Sequence, residues 1–94
     1  MRVMAVDFGT KAIGLAICDE LQLTVRPLTT LRHPHLQHAP QRISQLAEEY
    51  EIGALVVGLP LNMDGTSGEA VEKVNAFVAE LQPLVDVPIR LVDE

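Results

Sequence analysis

The sequence predicts a mixed α/β domain with a five-stranded sheet and two helices. Two apolar runs flank a glycine turn near the start of the chain, which predicts an antiparallel hairpin. Two later stretches have apolar residues at helical spacing, and a short apolar run follows each of them. Two strands joined through a helix usually pair in parallel in the same sheet. We therefore expect strands 1 to 3 to be antiparallel and strands 1, 4 and 5 to be parallel.

The opening hairpin carries the first candidate functional residue. Val3 to Val6 has no polar interruption, so we expect strand 1 to be central and covered on both faces. Asp7 follows directly, where the core meets solvent. A carboxylate held rigidly by a sheet is well suited to bind a metal ion. The alternative is that Asp7 only begins the turn at Gly9.

A third strand and a polar segment come next. Leu21 to Leu31 is predicted as a strand, and Pro27 within it indicates an edge position or a bulge because proline cannot donate to a ladder. His33, His35 and His38 follow. Their spacing around a proline matches no standard metal-ligand pattern, so this segment is predicted to be a loop.

The first helix and fourth strand form the predicted crossover. Pro40 suits the first turn of a helix, and Gly53 is predicted to end it. Ala54 to Leu59 is an apolar run short enough for a buried strand beside strand 1. The helix is expected to bury the residues at its apolar spacing, which are Ile43, Leu46, Ala47 and Tyr50.

The loop from Gly58 to Thr66 leads into the second helix. Thr66 and Glu69 have the spacing of a capping box. Free backbone donors at a helix start favour an anion such as phosphate, although Asp64-Gly65 is also ordinary turn chemistry. The predicted apolar stripe of this helix is Ala70, Val71, Val74, Phe77, Val78 and Leu81.

The last strand, Ile89 to Val92, ends at Asp93 and Glu94. Ligands of open α/β sheets bind outside the carboxyl ends of the strands, where these acids and Asp7 are expected to meet. Acids beside an anion-binding loop are what metal-assisted phosphodiester chemistry requires. The net charge of −6 argues against a general nucleic-acid coating protein, but bound cations reverse the local field.

Composition indicates the compartment. No apolar run approaches the roughly 20 residues of a membrane span, and no secretory signal pattern opens the chain. Cys18 is a single cysteine and forms no internal disulfide. We expect a cytoplasmic protein with no membrane contact.

Three motifs together resemble the YqgF family, also called RuvX. They are Asp7-Phe8-Gly9-Thr10-Lys11 with Ile13-Gly14-Leu15-Ala16, then Val57 to Gly65, then Asp93-Glu94. The resemblance covers essentially the whole chain. It implies an RNase H-like fold and a cytoplasmic bacterial nuclease that matures the 5′ end of 16S ribosomal RNA. Resolution of Holliday junctions in branched DNA is the alternative activity it implies.

The resemblance also implies roles for individual residues. Asp7 matches the first catalytic acid and Glu94 the acid of a later motif, with Asp93 a weaker candidate. These acids would hold two Mg²⁺ or Mn²⁺ ions that bind weakly without substrate. Ala12 stands where the family commonly has arginine, so one phosphate contact is expected to be absent. The positions expected near the nucleic acid are Lys11, Asn62, Gly65 and Thr66.

Members of that family continue beyond Glu94 into a final helix that bears another catalytic acid. Without it, the 94 residues are expected to form a C-terminally incomplete RNase H-like domain. We therefore expect weak or no nuclease activity from these residues alone. An uncovered apolar sheet face also favours self-association as a homodimer.

Two other classes of function remain open at this level. An ATP-binding module of the actin and sugar-kinase type has a similar Asp-x-Gly-Thr loop between two strands, but it needs two such domains and 94 residues supply less than one. A non-catalytic domain that keeps the fold for partner binding is the other alternative.

Overall fold

A computed structural model describes residues 1–9, 11–19, 24–59 and 68–93. The strands are β1 (Arg2–Phe8), β2 (Ala12–Cys18), β3 (Val25–Arg32), β4 (Ile52–Leu59) and β5 (Ile89–Asp93). The helices are α1 (Ala39–Glu49) and α2 (Gly68–Leu81), with short 3₁₀ helices at His35–His38 and Gln82–Leu84. The predicted elements are therefore present in the predicted order.

The five strands form one sheet in the order β3-β2-β1-β4-β5. β1 pairs antiparallel with β2 and β2 with β3, whereas β1 pairs parallel with β4 and β4 with β5. This confirms the predicted mixed sheet. Pro27 lies on the edge strand β3, whose register against β2 shifts beside it, as its missing N–H predicts.

One side of the sheet carries the hydrophobic core. Met4 and Val6 of β1 and Leu55 and Val57 of β4 are at most 1% exposed. They alternate with residues on the opposite side, since successive strand side chains point to opposite faces. The helical residues in the same core cluster are Ala39, Ile43, Leu46, Ala47, Val74, Phe77 and Leu81.

The prediction that β1 is covered on both faces is wrong for the described residues. Val3 and Ala5 are only half-buried, and Asp7 is exposed. We call the side away from the helices the open face. An uninterrupted apolar run does not distinguish a strand buried on two faces from one whose second face has small residues. The open face carries Ala5, Asp7, Gly14, Ala16, Val56, Gly58 and Val92.

The end of α1 differs from the prediction. Gly53 does not stop the helix but lies in β4, where an added Cβ atom would collide with the Met1 side chain. The helix ends at Glu49, and Glu51 takes the left-handed conformation with φ of 54°. A non-glycine residue therefore makes the turn that glycine usually makes after a helix.

Glu51→Gly is expected to stabilise the protein by about 0.5–1 kcal/mol. A left-handed L-residue places its Cβ too close to the backbone, and glycine removes this strain. Urea denaturation measures the change as a higher midpoint. The matched control is Glu48→Gly in the last turn of α1, which should cost about 1 kcal/mol because glycine is a poor helix former. A loss of stability in both variants would contradict the prediction.

The remaining elements follow the sequence pattern. On α2, Val74, Phe77 and Leu81 are buried and Val71 and Val78 half-buried, which confirms the stripe where side chains are described. The histidine segment is a 3₁₀ helix rather than a loop. The predicted capping box at Thr66 lies outside the described residues. Among the residues that the structure describes, no helix is long and apolar enough to cross a membrane.

Candidate active site on the open face

Asp7 lies between two glycines. It is the penultimate residue of β1 and pairs with Gly14 of β2 on one side and with Gly58 of β4 on the other. A Cβ on Gly14 would lie 3.7 Å from the Cβ of Asp7. Paired residues on adjacent strands point to the same face, so the missing side chains leave space on both sides of the carboxylate.

The same register continues across the sheet. Gly14 pairs with Thr30 of β3, and Gly58 pairs with Val92 of β5. Five strands therefore contribute the row Thr30, Gly14, Asp7, Gly58 and Val92. Asp7 is the single ionisable residue of this row, and its neighbours on each side carry no side chain. Among the residues that the structure describes, none blocks a ligand that approaches the carboxylate oxygens from above the sheet or from either side.

A cavity of about 450 Å³ covers this row. Its floor consists mainly of small or apolar residues from all five strands, which leaves Asp7 as the charged group of the described lining. A lone carboxylate on a rigid, mostly apolar floor attracts a cation, and the sheet fixes the carboxylate's position. The other lining residues are Ala5, Val6, Leu15, Ala16, Pro27, Leu28, Thr29 and Val56.

The β1–β2 turn depends on Gly9. A Cβ at this position would approach the backbone carbonyl oxygen of Ala12 to 2.6 Å, closer than real Cβ contacts. The missing side chain allows the turn to close tightly after Asp7. Lys11 follows and is exposed, directly before β2. The turn therefore places an ammonium group on the hairpin that carries the carboxylate.

Gly9→Ala is expected to destabilise the protein by about 1–3 kcal/mol, because the obstructing atom belongs to the backbone and cannot rotate away. Thermal denaturation measures the loss. Gly14→Ala is the matched control, since its new methyl group makes an ordinary 3.7 Å contact. Equal losses in the two variants would show that the close approach at Gly9 is not the cause.

Several predicted site residues lie outside the described part of the chain. These are Asn62, Gly65, Thr66 and Glu94, so the structure places only Asp7 and Lys11 with their side chains. Asp93 is the last residue of β5 and pairs with Leu59. Within the described ranges, no three His, Cys, Asp or Glu side chains come together as metal ligands.

Sequence reasoning did not identify Gly14 and Gly58 as parts of the site. In the sequence, both glycines belong to a motif or an apolar run and carry no functional group of their own. A signal was present, because glycine inside a strand often marks a close approach to a ligand. The register that puts both glycines beside Asp7 requires β1 to β4 pairing across a helix, and no local pattern specifies it.

The whole chain matches a known protein family. The RuvX family, described as Holliday junction resolvase, matches residues 1–94. A protein of Roseiflexus sp. named "Putative pre-16S rRNA nuclease" is 47% identical over 93 residues, which are 99% of this chain and 66% of that protein. Proteins with the same name from Natranaerobius thermophilus and Anaeromyxobacter sp. are 38% and 42% identical over 94 residues. The chain thus spans about two thirds of the length of these relatives.

Solved structures share the fold. Thermus thermophilus RuvC in complex with a Holliday junction substrate aligns with a TM-score of 0.72 at 17% identity, over 99% of this chain and 64% of RuvC. The fowlpox virus Holliday junction resolvase aligns with a TM-score of 0.50 at 12% identity, over 99% of this chain and 62% of the resolvase. The RNase H-like architecture implied by the sequence motifs is thereby confirmed. By its match over residues 1–94, the chain belongs to the RuvX family of Holliday junction resolvases.

Proposed function

We propose that the open face binds a divalent cation and a phosphodiester of nucleic acid, and that the whole protein hydrolyses that bond. The observation that carries the proposal is the setting of Asp7, an exposed carboxylate between Gly14 and Gly58 at the floor of an open cavity. Family membership supports it, since the relatives are named nucleases. The geometry and the sequence motif that contains Asp7 thus support the same side chain.

The residues present fit a hard divalent cation such as Mg²⁺ or Mn²⁺. These ions prefer oxygen ligands and keep several waters, so they need open space around one or two carboxylates. The glycines beside Asp7 provide that space. Such ions supply Lewis-acid stabilisation of the phosphodiester and acidify a water molecule. Asp7 itself would hold the cation and fix its position against the sheet.

Glu94 is proposed as the second ligand in preference to Asp93. Val92 pairs with Gly58 and lines the Asp7 cavity. Glu94 also matches the acid of the family motif, whereas Asp93 is only its neighbour in the sequence. Two carboxylates would bind the cation more tightly than one.

Lys11 is proposed to contact a phosphate of the substrate. It is exposed on the hairpin turn beside Asp7, and an ammonium group there offsets the repulsion between carboxylates and the backbone of a nucleic acid. Asn62, Gly65 and Thr66 are proposed to contact the same backbone, on the evidence of the sequence motif alone.

Structured RNA is the proposed substrate class, with 5′-end maturation of pre-16S ribosomal RNA as the specific reaction. Relatives up to 47% identical are named "Putative pre-16S rRNA nuclease". Branched DNA is the second candidate, because the family is described as Holliday junction resolvase. The match to this family over residues 1–94 favours both over an ATP-binding module. The proposed compartment is the cytoplasm.

Paramagnetic Mn²⁺ tests the proposal. Added to the isotope-labelled chain, it should broaden the amide resonances of Gly14 and Gly58 first, because they flank Asp7. A structured RNA hairpin should lower the Mn²⁺ concentration needed for this broadening. When two ligands share a site, each changes the affinity for the other by the same factor. A four-way DNA junction and ATP are the comparison ligands. Broadening centred instead on the acidic residues Glu48, Glu51 and Asp86 would overturn the proposal.

A further inference from the structure

The chain has one long stretch without acidic residues. Residues 21–47 contain three arginines and all three histidines, but none of the 13 acidic residues. The rest of the chain then has four Lys and Arg residues against all 13 acids. In a protein of net charge −6, this stretch is where an anion can approach with least repulsion.

The fold shapes part of this stretch into a cleft. β3 is an edge strand, and the 3₁₀ helix His35–His38 and the first turns of α1 lie beside it. Together they bound a cleft of about 400 Å³. None of the described residues lining it is acidic, and all but Leu31 carry polar groups able to donate hydrogen bonds. They are Thr29, Thr30, His35, His38, Gln41, Arg42 and Gln45.

Arg42 is the fixed positive charge of this cleft. Its Nη1 donates a hydrogen bond of 3.3 Å to Oε1 of Gln45, one turn further along α1. This exposed contact uses one of the five guanidinium N–H groups. The planar guanidinium fork matches two oxygens of a phosphate, which makes arginine a strong phosphate ligand.

The cleft adjoins the cavity around Asp7. Thr29 and Thr30 line both spaces, so the two are separated only by the edge strand. Thr30 lies in the same row as Asp7 with one strand between them, which corresponds to about 10 Å at the usual strand spacing. This separation is short enough for nearby phosphates of one nucleic-acid strand to reach both spaces.

We propose that the cleft between β3 and α1, with Arg42 at its centre, is a second phosphate-binding subsite. It holds the backbone of the nucleic acid a few nucleotides away from the phosphodiester that lies at Asp7. Contacts of this kind fix the register of a substrate without reading its sequence. The inference rests on the proposed function of Asp7 and adds the path of the substrate across the edge of the sheet.

Arg42→Gln tests the subsite. Fluorescence anisotropy of a labelled RNA hairpin, in EDTA and without divalent cations, measures binding independently of the metal site. The variant should bind RNA hairpins of every sequence more weakly than the wild-type chain does. The slope of log affinity against log salt should fall by about 0.7–0.9, the value for one lost phosphate contact. The thermal midpoint of Arg42→Gln should stay near that of the wild type, which shows that it folds.

Arg26→Gln is the matched control. Arg26 lies on the same edge strand, and its substitution changes the net charge by the same amount. It borders Asp19 and Thr24, outside the cleft. An effect confined to Arg42→Gln supports the subsite. Equal effects of the two variants, or none from Arg42→Gln, would overturn it. So would displacement of the RNA by an oligoglutamate of equal charge at the same concentration, because the cleft would then suit an acidic protein.

The two proposals can fail separately. Mn²⁺ binding at Asp7 with unchanged RNA affinity in Arg42→Gln would overturn the subsite and leave the proposed function standing. Weaker RNA binding in Arg42→Gln, with no Mn²⁺ broadening at Gly14 and Gly58, would overturn the proposed function instead. The cleft would then be a nucleic-acid surface without a metal site beside it.

Discussion

Asp7→Asn is expected to lower the affinity of the open face for Mn²⁺ by at least 10–100-fold. Loss of a group that only supports a metal ligand already costs this much, and Asp7 is proposed as a ligand itself. The amide has nearly the same shape but no charge, so the variant removes the electrostatic attraction and little else. Because Asp7 is exposed, the free energy of unfolding should change by less than about 0.5 kcal/mol.

Asp19→Asn is the control for this prediction. Asp19 is also an exposed acid next to β2, but it lies at the other end of that strand and accepts a hydrogen bond of 2.9 Å from Oγ1 of Thr24. The Asp19→Asn substitution changes the net charge by the same amount as Asp7→Asn. Isothermal titration calorimetry measures the Mn²⁺ affinity of the two variants. Equal losses of affinity would mean that Mn²⁺ responds only to the overall charge, and Asp7 would not be a specific ligand.

Periodicity was sufficient to predict the sheet and helices. The apolar spacing of α1 and α2 reflects burial against one side of the sheet, and burial follows directly from side-chain chemistry. Pro27 likewise predicted an edge position or a bulge, because proline cannot donate to a ladder, and β3 is an edge strand whose register shifts beside Pro27. Local chemistry determines these features, so a local pattern reveals them.

The features that the sequence did not predict depend on tertiary contacts. Gly53 is of the residue type that often ends a helix. The chain nevertheless turns at Glu51, because the strand that follows must pair with β1. The open face was missed for a similar reason. Small residues such as Ala5 and Ala16 read as core in the sequence, but whether they are covered depends on which elements pack above them.

The candidate site shows the same division. The motif containing Asp7 identified the carboxylate, because its chemistry belongs to a single residue. The clearance around it needs three strands in register, and residues 14 and 58 are far apart in the chain. Such an arrangement resists prediction from spacing alone. The same holds for the cleft at Arg42, whose walls come from β3 and α1.

Leu55→Ala is expected to destabilise the protein by about 2–5 kcal/mol. Leu55 lies on the interior strand β4 with 0% exposure, so truncation loses buried apolar area and leaves a cavity. The whole stability of a domain is typically about 5–15 kcal/mol, so this loss is a large part of it. Urea denaturation followed by circular dichroism measures the change in midpoint.

Val57 and Val56 are neighbours on β4, and their side chains lie on opposite sides of the sheet. Val57 has 0% exposure against the helices, whereas Val56 is half-buried on the open face. The same change to alanine should therefore cost about 2–3 kcal/mol at Val57 and below about 1 kcal/mol at Val56. Equal costs would contradict a one-sided core and show that the open face is covered in solution. A second copy of the chain would then be the first candidate, because a dimer's midpoint rises with protein concentration and sedimentation would detect its mass.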